Sequence, residues 1–161
     1  MAKAASIAYI GCMSEALYNT RILALAAASA GLERLAAPQA SVMRVSPVCG
    51  SKVTADITLD AEGRVAAHGW QVRACALGQS ATTLVADTIT GKTASDLGIA
   101  RAALADWLAG TDDTPPDWPG LEIFAPARPH RARHGSILLA FDAAHAAAVE
   151  AAIASPAINA H

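Results

Sequence analysis

Residues 53–59 read VTADITL, and apolar and polar side chains alternate along this stretch. The odd-numbered residues would all face one way, which is typical of a strand with one buried side. The turn Asp60–Gly63 follows, and Gly63 can adopt the positive φ that tight turns need. A return strand over Arg64–Val72 completes a β-hairpin, and this hairpin is the centre of the predicted fold.

A further short strand is predicted over Val42–Val45, and apolar residues at helical spacing predict helices on either side of the strands. Ser14 is the expected N-cap of the first helix, and Thr93 or Ser95 that of the third. The expected helices are Ala16–Gly31, Cys75–Gly91, Thr93–Gly110 and Gly135–Ala154, with a short helical turn at Leu121–Ala125. This order predicts an α+β fold: a single domain over residues 1–161, with an antiparallel sheet of about three strands and helices packed on one face.

The composition argues against a nucleic-acid-binding, membrane-spanning or secreted disulfide-bonded protein. A net charge of −2 gives no electrostatic reason to expect nucleic acid or an anionic membrane as a partner. No apolar run approaches the roughly 18–20 residues of a membrane span, and the N-terminal residues lack the hydrophobic region of a signal peptide. Three cysteines, an odd number, fit a reducing compartment better than a disulfide framework. A cytoplasmic protein is therefore expected.

Two cysteines flank the predicted hairpin, Cys49 in SPVCGS (46–51) and Cys75 in RACALGQSA (73–81). Because a hairpin reverses the chain, both thiols can come to one end of the sheet. Unpaired N–H groups at a helix start favour a thiolate at Cys75, and a thiolate is the form that binds soft metals. His134, near the start of the last helix, offers an imidazole as a third candidate ligand. From spacing alone, two unconnected core thiols remain an alternative.

These motifs and their order resemble the IscU/SufU/NifU-N-terminal family of iron–sulfur cluster assembly scaffolds. The SPVCGS segment is similar to the family signature Asn-Pro-x-Cys-Gly-Asp, and the hairpin aligns without a gap onto the second family cysteine, here Cys75. Leu17-Tyr18 resembles an early Leu-Tyr, and Gly91-Lys92-Thr93 resembles the Gly-Lys-Ser/Thr that follows the next helix. The resemblance implies a SufU/IscU-like fold and a site that binds an iron–sulfur cluster or a metal ion.

The chain departs from the family pattern at two ligand positions. Ser51 stands where the family has an Asp, and a hydroxyl is a poor metal ligand. The third family cysteine, expected to receive persulfide sulfur, is missing: one alignment puts His134 in its place, and another puts Gly135 there. The predicted metal or cluster ligands are thus Cys49, Cys75 and His134, with Ser51 marginal. Zinc with an added water fits this set, whereas a [2Fe–2S] cluster lacks a ligand that a partner, a small thiol or a second chain would supply.

The first functional hypothesis is a non-enzymatic scaffold that binds a labile Fe–S cluster or zinc and passes it on by ligand exchange. A cysteine desulfurase and apo-protein acceptors are the partners that the resemblance implies, and a homodimer is considered. The alternative is a metal-free adaptor for the sulfur-transfer machinery, with the fold kept and the chemistry lost. A third hypothesis is a thiol enzyme with Cys75 as its nucleophile.

Overall fold

Residues 18–155 are described by the structure, a computed structural model. The predicted hairpin is present: β2 (Lys52–Leu59) and β3 (Val65–Arg73) pair antiparallel, with Lys52 opposite Arg73 at the open end. Strand β1 (Ala40–Val45) pairs antiparallel with the other edge of β2, giving the order β1-β2-β3. Val53, Ala55 and Ile57 are fully buried, as the alternating pattern predicts, but Asp56 on the other side of β2 is fully buried as well.

Four α-helices accompany the sheet in the described part of the chain. They are α1 (Thr20–Ala28), α2 (Ala76–Thr88), α3 (Ala94–Ala109) and α4 (Arg131–Ala154), with 3₁₀-helices at Ser29–Gly31 and Leu121–Ala127. Asn19 caps α1, because its side chain accepts a hydrogen bond from the Ile22 N–H, while the expected cap Ser14 lies outside the described residues. Thr93 caps α3 in a capping box with Asp96, which decides between Thr93 and Ser95.

Helix α4 begins at Arg131, one turn before the expected start at Gly135. The extra turn is tied to the preceding segment by His134, whose Nε2 lies 2.9 Å from the carbonyl oxygen of Ala127 and 3.0 Å from that of Arg128. These contacts span only six and seven residues, but His130, the N-cap residue, makes no side-chain capping hydrogen bond, so no capping pattern marks this start in the sequence. Gly135 is therefore an interior helical residue rather than a boundary.

Helix α4 lies at the centre of the domain, packed on β1 and β2 and against α2 and α3. Its alanines make this close packing possible, since Ala140, Ala143, Ala144, Ala147 and Ala148 are fully buried. By length and composition alone α4 is apolar enough to cross a membrane. Half of its most apolar window is buried within the fold, as in the core helix of a globular domain. The α+β class and the three-stranded antiparallel sheet are confirmed.

The opposite face of the sheet is partly covered by the segment after α1. Gly69 allows this approach, because a Cβ there would lie within 3 Å of the backbone of residues 33–35. Asp56 is fully buried beneath the segment and accepts hydrogen bonds from Arg34 Nε at 2.7 Å and from the Leu35 N–H at 3.0 Å. Lys52 and Arg73, at the open end of the sheet, are exposed among residues 18–155, and the candidate site lies at that end.

Candidate functional site

The loop between β1 and β2 holds Cys49 at the open end of the sheet. Two backbone hydrogen bonds close the loop, from the Ser46 N–H to the Ser51 carbonyl and from the Gly50 N–H to the Ser46 carbonyl, both 2.8 Å. Gly50 has a φ of 72°, a value that residues with a Cβ rarely adopt. The loop conformation thus depends on a glycine directly after the cysteine, and it leaves Cys49 exposed.

Two serine hydroxyls contact the Cys49 sulfur. Ser136 Oγ, on the first turns of α4, lies 3.0 Å from Sγ, and Ser51 Oγ lies 3.1 Å from it. Hydrogen bonds to the charged form of a group favour that form. The hydroxyls of Ser136, Ser46 and Ser51, with the Ser51 backbone, lower the pKa of Cys49 to about 6 against a small opposing effect of burial. Cys49 is therefore mostly a thiolate at neutral pH.

Ser46 stands apart among these serines. It is only 2% exposed, and no contact of its Oγ meets full hydrogen-bond geometry. Its hydroxyl nevertheless acts on the Cys49 sulfur, where it is second only to Ser136 in lowering the pKa of the thiol. A Cβ added to Gly135 would point at this oxygen, 3.1 Å away. Position 135 thus faces the Ser46 side of the loop, which favours the alignment that puts Gly135 in the place of the third family cysteine.

Cys75 lies at the same end of the sheet, two residues after Arg73, and is the N-cap residue of α2. It is half-buried, packs against the core and makes no side-chain capping hydrogen bond. The first turn of α2 also approaches Ser136, since a Cβ on Gly78 would lie 3.3 Å from the Ser136 carbonyl oxygen. Hairpin reversal therefore brings both cysteine segments to the N-terminal part of α4, as the sequence indicated.

His134 is held in a different environment from the two thiols. Its Nε2 is within hydrogen-bond distance of two backbone carbonyls, so Nε2 carries the proton and donates to them. Only Nδ1 remains free to act as a metal ligand. Among residues 18–155, no three His, Cys, Asp or Glu side chains lie close enough together to hold a metal ion. The predicted set Cys49, Cys75 and His134 is not assembled as a ready-made site.

The possible ligand atoms assembled at this site are instead the Cys49 sulfur itself and the hydroxyls of Ser46, Ser51 and Ser136. Hydroxyls are weak ligands for iron and zinc, so these residues alone do not fit a resident metal ion or cluster. The sequence interpretation named Ser51 as a marginal ligand but assigned no role to Ser46 or Ser136. One feature of the sequence could have pointed to Ser136: it directly follows Gly135, which one alignment puts at the position of the missing third family cysteine. Nothing in the local sequence marked Ser46 as buried.

Comparison with solved structures identifies relatives of this fold. The N-terminal domain of a nitrogen-fixing NifU-like protein from Brucella abortus aligns with a TM-score of 0.76 and 34% identity, over 86% of this chain and 96% of that one. This chain belongs to the IscU/SufU/NifU-N-terminal family. A SufU from Fervidobacterium islandicum, described as a candidate iron–sulfur cluster assembly scaffold, shares the fold with a TM-score of 0.72 at 16% identity, over 84% of this chain and 98% of that one.

The comparison of structures identifies relatives that the comparison of sequences does not. No family model matches the chain, and no curated protein sequence matches it. Membership of the family therefore rests on the structural match to the Brucella domain, which covers nearly all of that domain. The family signature around Cys49 is kept at Pro47, Cys49 and Gly50 and changed at the ligand position Ser51.

Proposed function

We propose that this chain is a scaffold-like protein of iron–sulfur cluster assembly, in which the Cys49 thiolate is the first ligand for cluster iron. The carrying observation is the exposed Cys49 sulfur, 3.0 Å from Ser136 Oγ and 3.1 Å from Ser51 Oγ. The similarity to a NifU-like domain and to a candidate SUF scaffold supports this role and favours a binding protein over an enzyme. The cluster is cargo here, accepted and then released.

Cys75 is the proposed second ligand, because it lies at the same sheet end and its segment approaches Ser136. His134 can join only through Nδ1 after a rotation of its ring. A [2Fe–2S] cluster usually has four protein ligands, so the remaining ones come from a partner, a small thiol or a second copy of the chain in a homodimer. An incomplete set makes ligand exchange, and hence release, easier. A bound zinc ion is the simpler cargo for the same thiolates.

Partners would approach Cys49 over an open surface. Met43 and Val48 are exposed by 54% and 72%, and Val48 is the residue directly before the thiol. Exposed apolar side chains beside a reactive group are suited to contact with another protein. We propose that a cysteine desulfurase and apo-protein acceptors are these partners, as in the scaffold family, and that the protein works in the cytoplasm.

Anaerobic reconstitution with iron and sulfide tests the proposal through the visible absorption of the cluster. The wild type should gain absorption, more strongly when a small thiol is added, because the chain supplies too few ligands alone. Cys49→Ala should lose most of this absorption and Cys75→Ala should lose part of it. Cys12→Ala, which removes the third cysteine of the sequence and none of the proposed ligands, is the matched control for removal of one thiol. Equal absorption in the wild type and in a Cys49→Ala, Cys75→Ala double variant would refute the proposal.

A metal-free adaptor is the second candidate function. It is favoured by one observation, the lack of a three-residue ligand group among residues 18–155. Elemental analysis of protein purified without chelator separates the two candidates. Iron or zinc near one equivalent per chain, lost in Cys49→Ala, would count against the adaptor. Binding of a desulfurase by the metal-free wild type and by Cys49→Ala alike would favour it.

A further inference from the structure

Charge is distributed unevenly along the chain and around the candidate site. Residues 43–55, 70–86 and 128–141 build the site, and they hold six of the 12 Lys and Arg residues but none of the 14 Asp and Glu residues. The six are Arg44, Lys52, Arg73, Arg128, Arg131 and Arg133. The rest of the chain has six basic residues against 14 acidic ones, so an acidic protein carries one basic end. A concentration of one charge sign attracts partners of the opposite sign.

Most of these six cations have no acidic partner within the chain. Among residues 18–155, Arg128 forms an ion pair with Asp113 at 3.2 Å, and none of the other five forms one. All five are exposed. Two of them, Lys52 and Arg73, lie directly opposite each other on β2 and β3. Like charges in this position, with Cβ atoms about 5 Å apart, destabilise a sheet, so an anion bound between them would remove a cost.

Lys52 and Arg73 lie in a groove on the face of the sheet opposite to α4. We call it the basic groove, and its lining residues are Met43, Lys52, Thr54, Gln71 and Arg73. Met43 is 54% exposed, and Val45, which pairs with Lys52 from the other side, is 45% exposed. Two unprotected apolar side chains on β1 therefore lie beside two unpaired cations on β2 and β3.

This combination fits one kind of occupant. We infer that the basic groove docks an acidic segment of a partner protein, with a carboxylate between Lys52 and Arg73 and an apolar side chain on Met43 and Val45. Arg73 can bind a carboxylate through two parallel hydrogen bonds, and Lys52 adds a second positive charge. A nucleic acid fits less well, because the acidic remainder of the chain repels a long polyanion and the two apolar side chains offer it no contact.

The position of the groove gives docking a consequence for the two thiols. Lys52 comes three residues after Cys49, and Arg73 comes two residues before Cys75. Even a fully extended chain spans no more than about 11 Å over three residues, so a docked partner would lie beside both proposed ligands. The inference rests on the proposed function for the purpose of docking. Docking itself needs no metal, so peptide binding and cluster reconstitution can fail separately.

The test measures docking on the full chain after a chelator has removed any metal. The probe is a short fluorescent peptide in which Glu and Leu alternate, followed by anisotropy at low ionic strength, where attraction between exposed charges is least screened. We expect saturable binding that weakens as salt is added. A matched peptide with Gln in place of Glu should not bind, and one with Ser in place of Leu should bind more weakly. A labelled oligothymidylate of equal charge should also bind more weakly than the Glu-Leu peptide.

Single charge reversals locate the site of binding. Arg73→Glu and Lys52→Glu each leave one Glu opposite one cation, so either change neutralises the pair and should weaken peptide binding about tenfold, as expected for the loss of two exposed ion pairs. Because repulsion across the strands is removed, neither variant should lower the free energy of unfolding. Arg64→Glu is the matched control, since it makes the same change in net charge at an exposed position near the turn of the hairpin. It should bind the peptide nearly as the wild type does.

Four outcomes would overturn the inference. The first is the absence of saturable binding of the Glu-Leu peptide by the wild type. The second is equal weakening in Arg73→Glu and Arg64→Glu, which would mean that net charge alone attracts the peptide. The third is binding of the Gln-Leu peptide as tightly as that of the Glu-Leu peptide. The fourth is equal or tighter binding of the oligothymidylate, which would make the basic end a nucleic-acid surface.

Discussion

Ser136 Oγ lies 3.0 Å from Cys49 Sγ, although the two residues are 87 positions apart in the sequence. Ser136 is buried on α4, whereas Cys49 is exposed on the loop between β1 and β2. The contact joins the central helix to the loop that carries the family signature. The largest single contribution to the lowered pKa of the thiol therefore comes from a residue outside that signature, beside those of Ser46 and Ser51 within it.

Alkylation of Cys49 should follow its pKa of about 6. Iodoacetamide reacts with the thiolate, so its rate constant at Cys49 should rise with pH to a midpoint near that value and be nearly level at neutral pH. In Ser136→Ala the thiolate loses the largest of its stabilising contacts, and the midpoint should move upward. Mass spectrometry of the Cys49 peptide over a pH series measures both.

Ser80→Ala serves as the control for this profile. Ser80 is fully buried on α2, but its hydroxyl donates to the Leu77 carbonyl, so its loss removes a hydroxyl without touching Cys49. Its midpoint should equal that of the wild type. If the Ser136→Ala midpoint also stays in place, Ser136 does not stabilise the thiolate.

A cysteine restored at position 135 should strengthen cluster binding. The Cβ of Gly135→Cys would point at Ser46 Oγ on the loop that carries Cys49, so it adds a thiolate where the site lacks one. After anaerobic reconstitution, the cluster of this variant should survive chelator challenge severalfold longer than that of the wild type. The decay of visible absorption gives the lifetimes.

Gly31→Cys is the matched control, because it adds a thiol at an exposed position with nothing within 4 Å. It should leave the cluster lifetime unchanged. An equal gain in both variants would show that any extra thiol suffices and that position 135 has no special place in the site.

The fold was predictable from sequence because its main signals are local. The alternation over residues 53–59 and the turn at Gly63 predict the hairpin, and chain reversal then brings Cys49 and Cys75 to one sheet end. The start of α4 was predicted one turn late, at about Gly135 rather than at Arg131, because the contacts of His134 with the Ala127 and Arg128 carbonyls hold the extra turn. Family resemblance added the ligand positions that spacing alone left open.

The character of the site could not be predicted in the same way. Whether Ser46 is buried depends on how closely α4 approaches the loop, and this approach depends on the missing side chain at Gly135. Similarly, the two carbonyls that bind His134 Nε2 come from a segment whose path the sequence does not fix. Ligand roles for Cys49, Cys75, His134 and Ser51 stay predictions that reconstitution will decide.

The buried pair Arg34–Asp56 should contribute more to stability than the surface pair Arg101–Asp142. Asp56 is fully buried, and although burial opposes its ionisation, hydrogen bonds from Arg34, Ser41 and the Leu35 N–H keep the pKa of its carboxyl below the ordinary value. Asp56→Asn should lower the free energy of unfolding by about 2 kcal/mol at neutral pH, since Arg34 remains half-exposed and keeps part of its hydration. Urea denaturation measures this.

The pH dependence of that loss has a definite sign. A carboxyl with a depressed native pKa stabilises the fold above its unfolded pKa of about 3.9, and this contribution is lost as pH falls through the native value. The gap between wild type and Asp56→Asn should therefore be full at neutral pH and shrink in acid. Asp142→Asn, in a pair with side chains 41% and 32% exposed, should cost less than about 1 kcal/mol. Equal losses in the two variants would mean that the segment over Gly69 does not shield Asp56 from water.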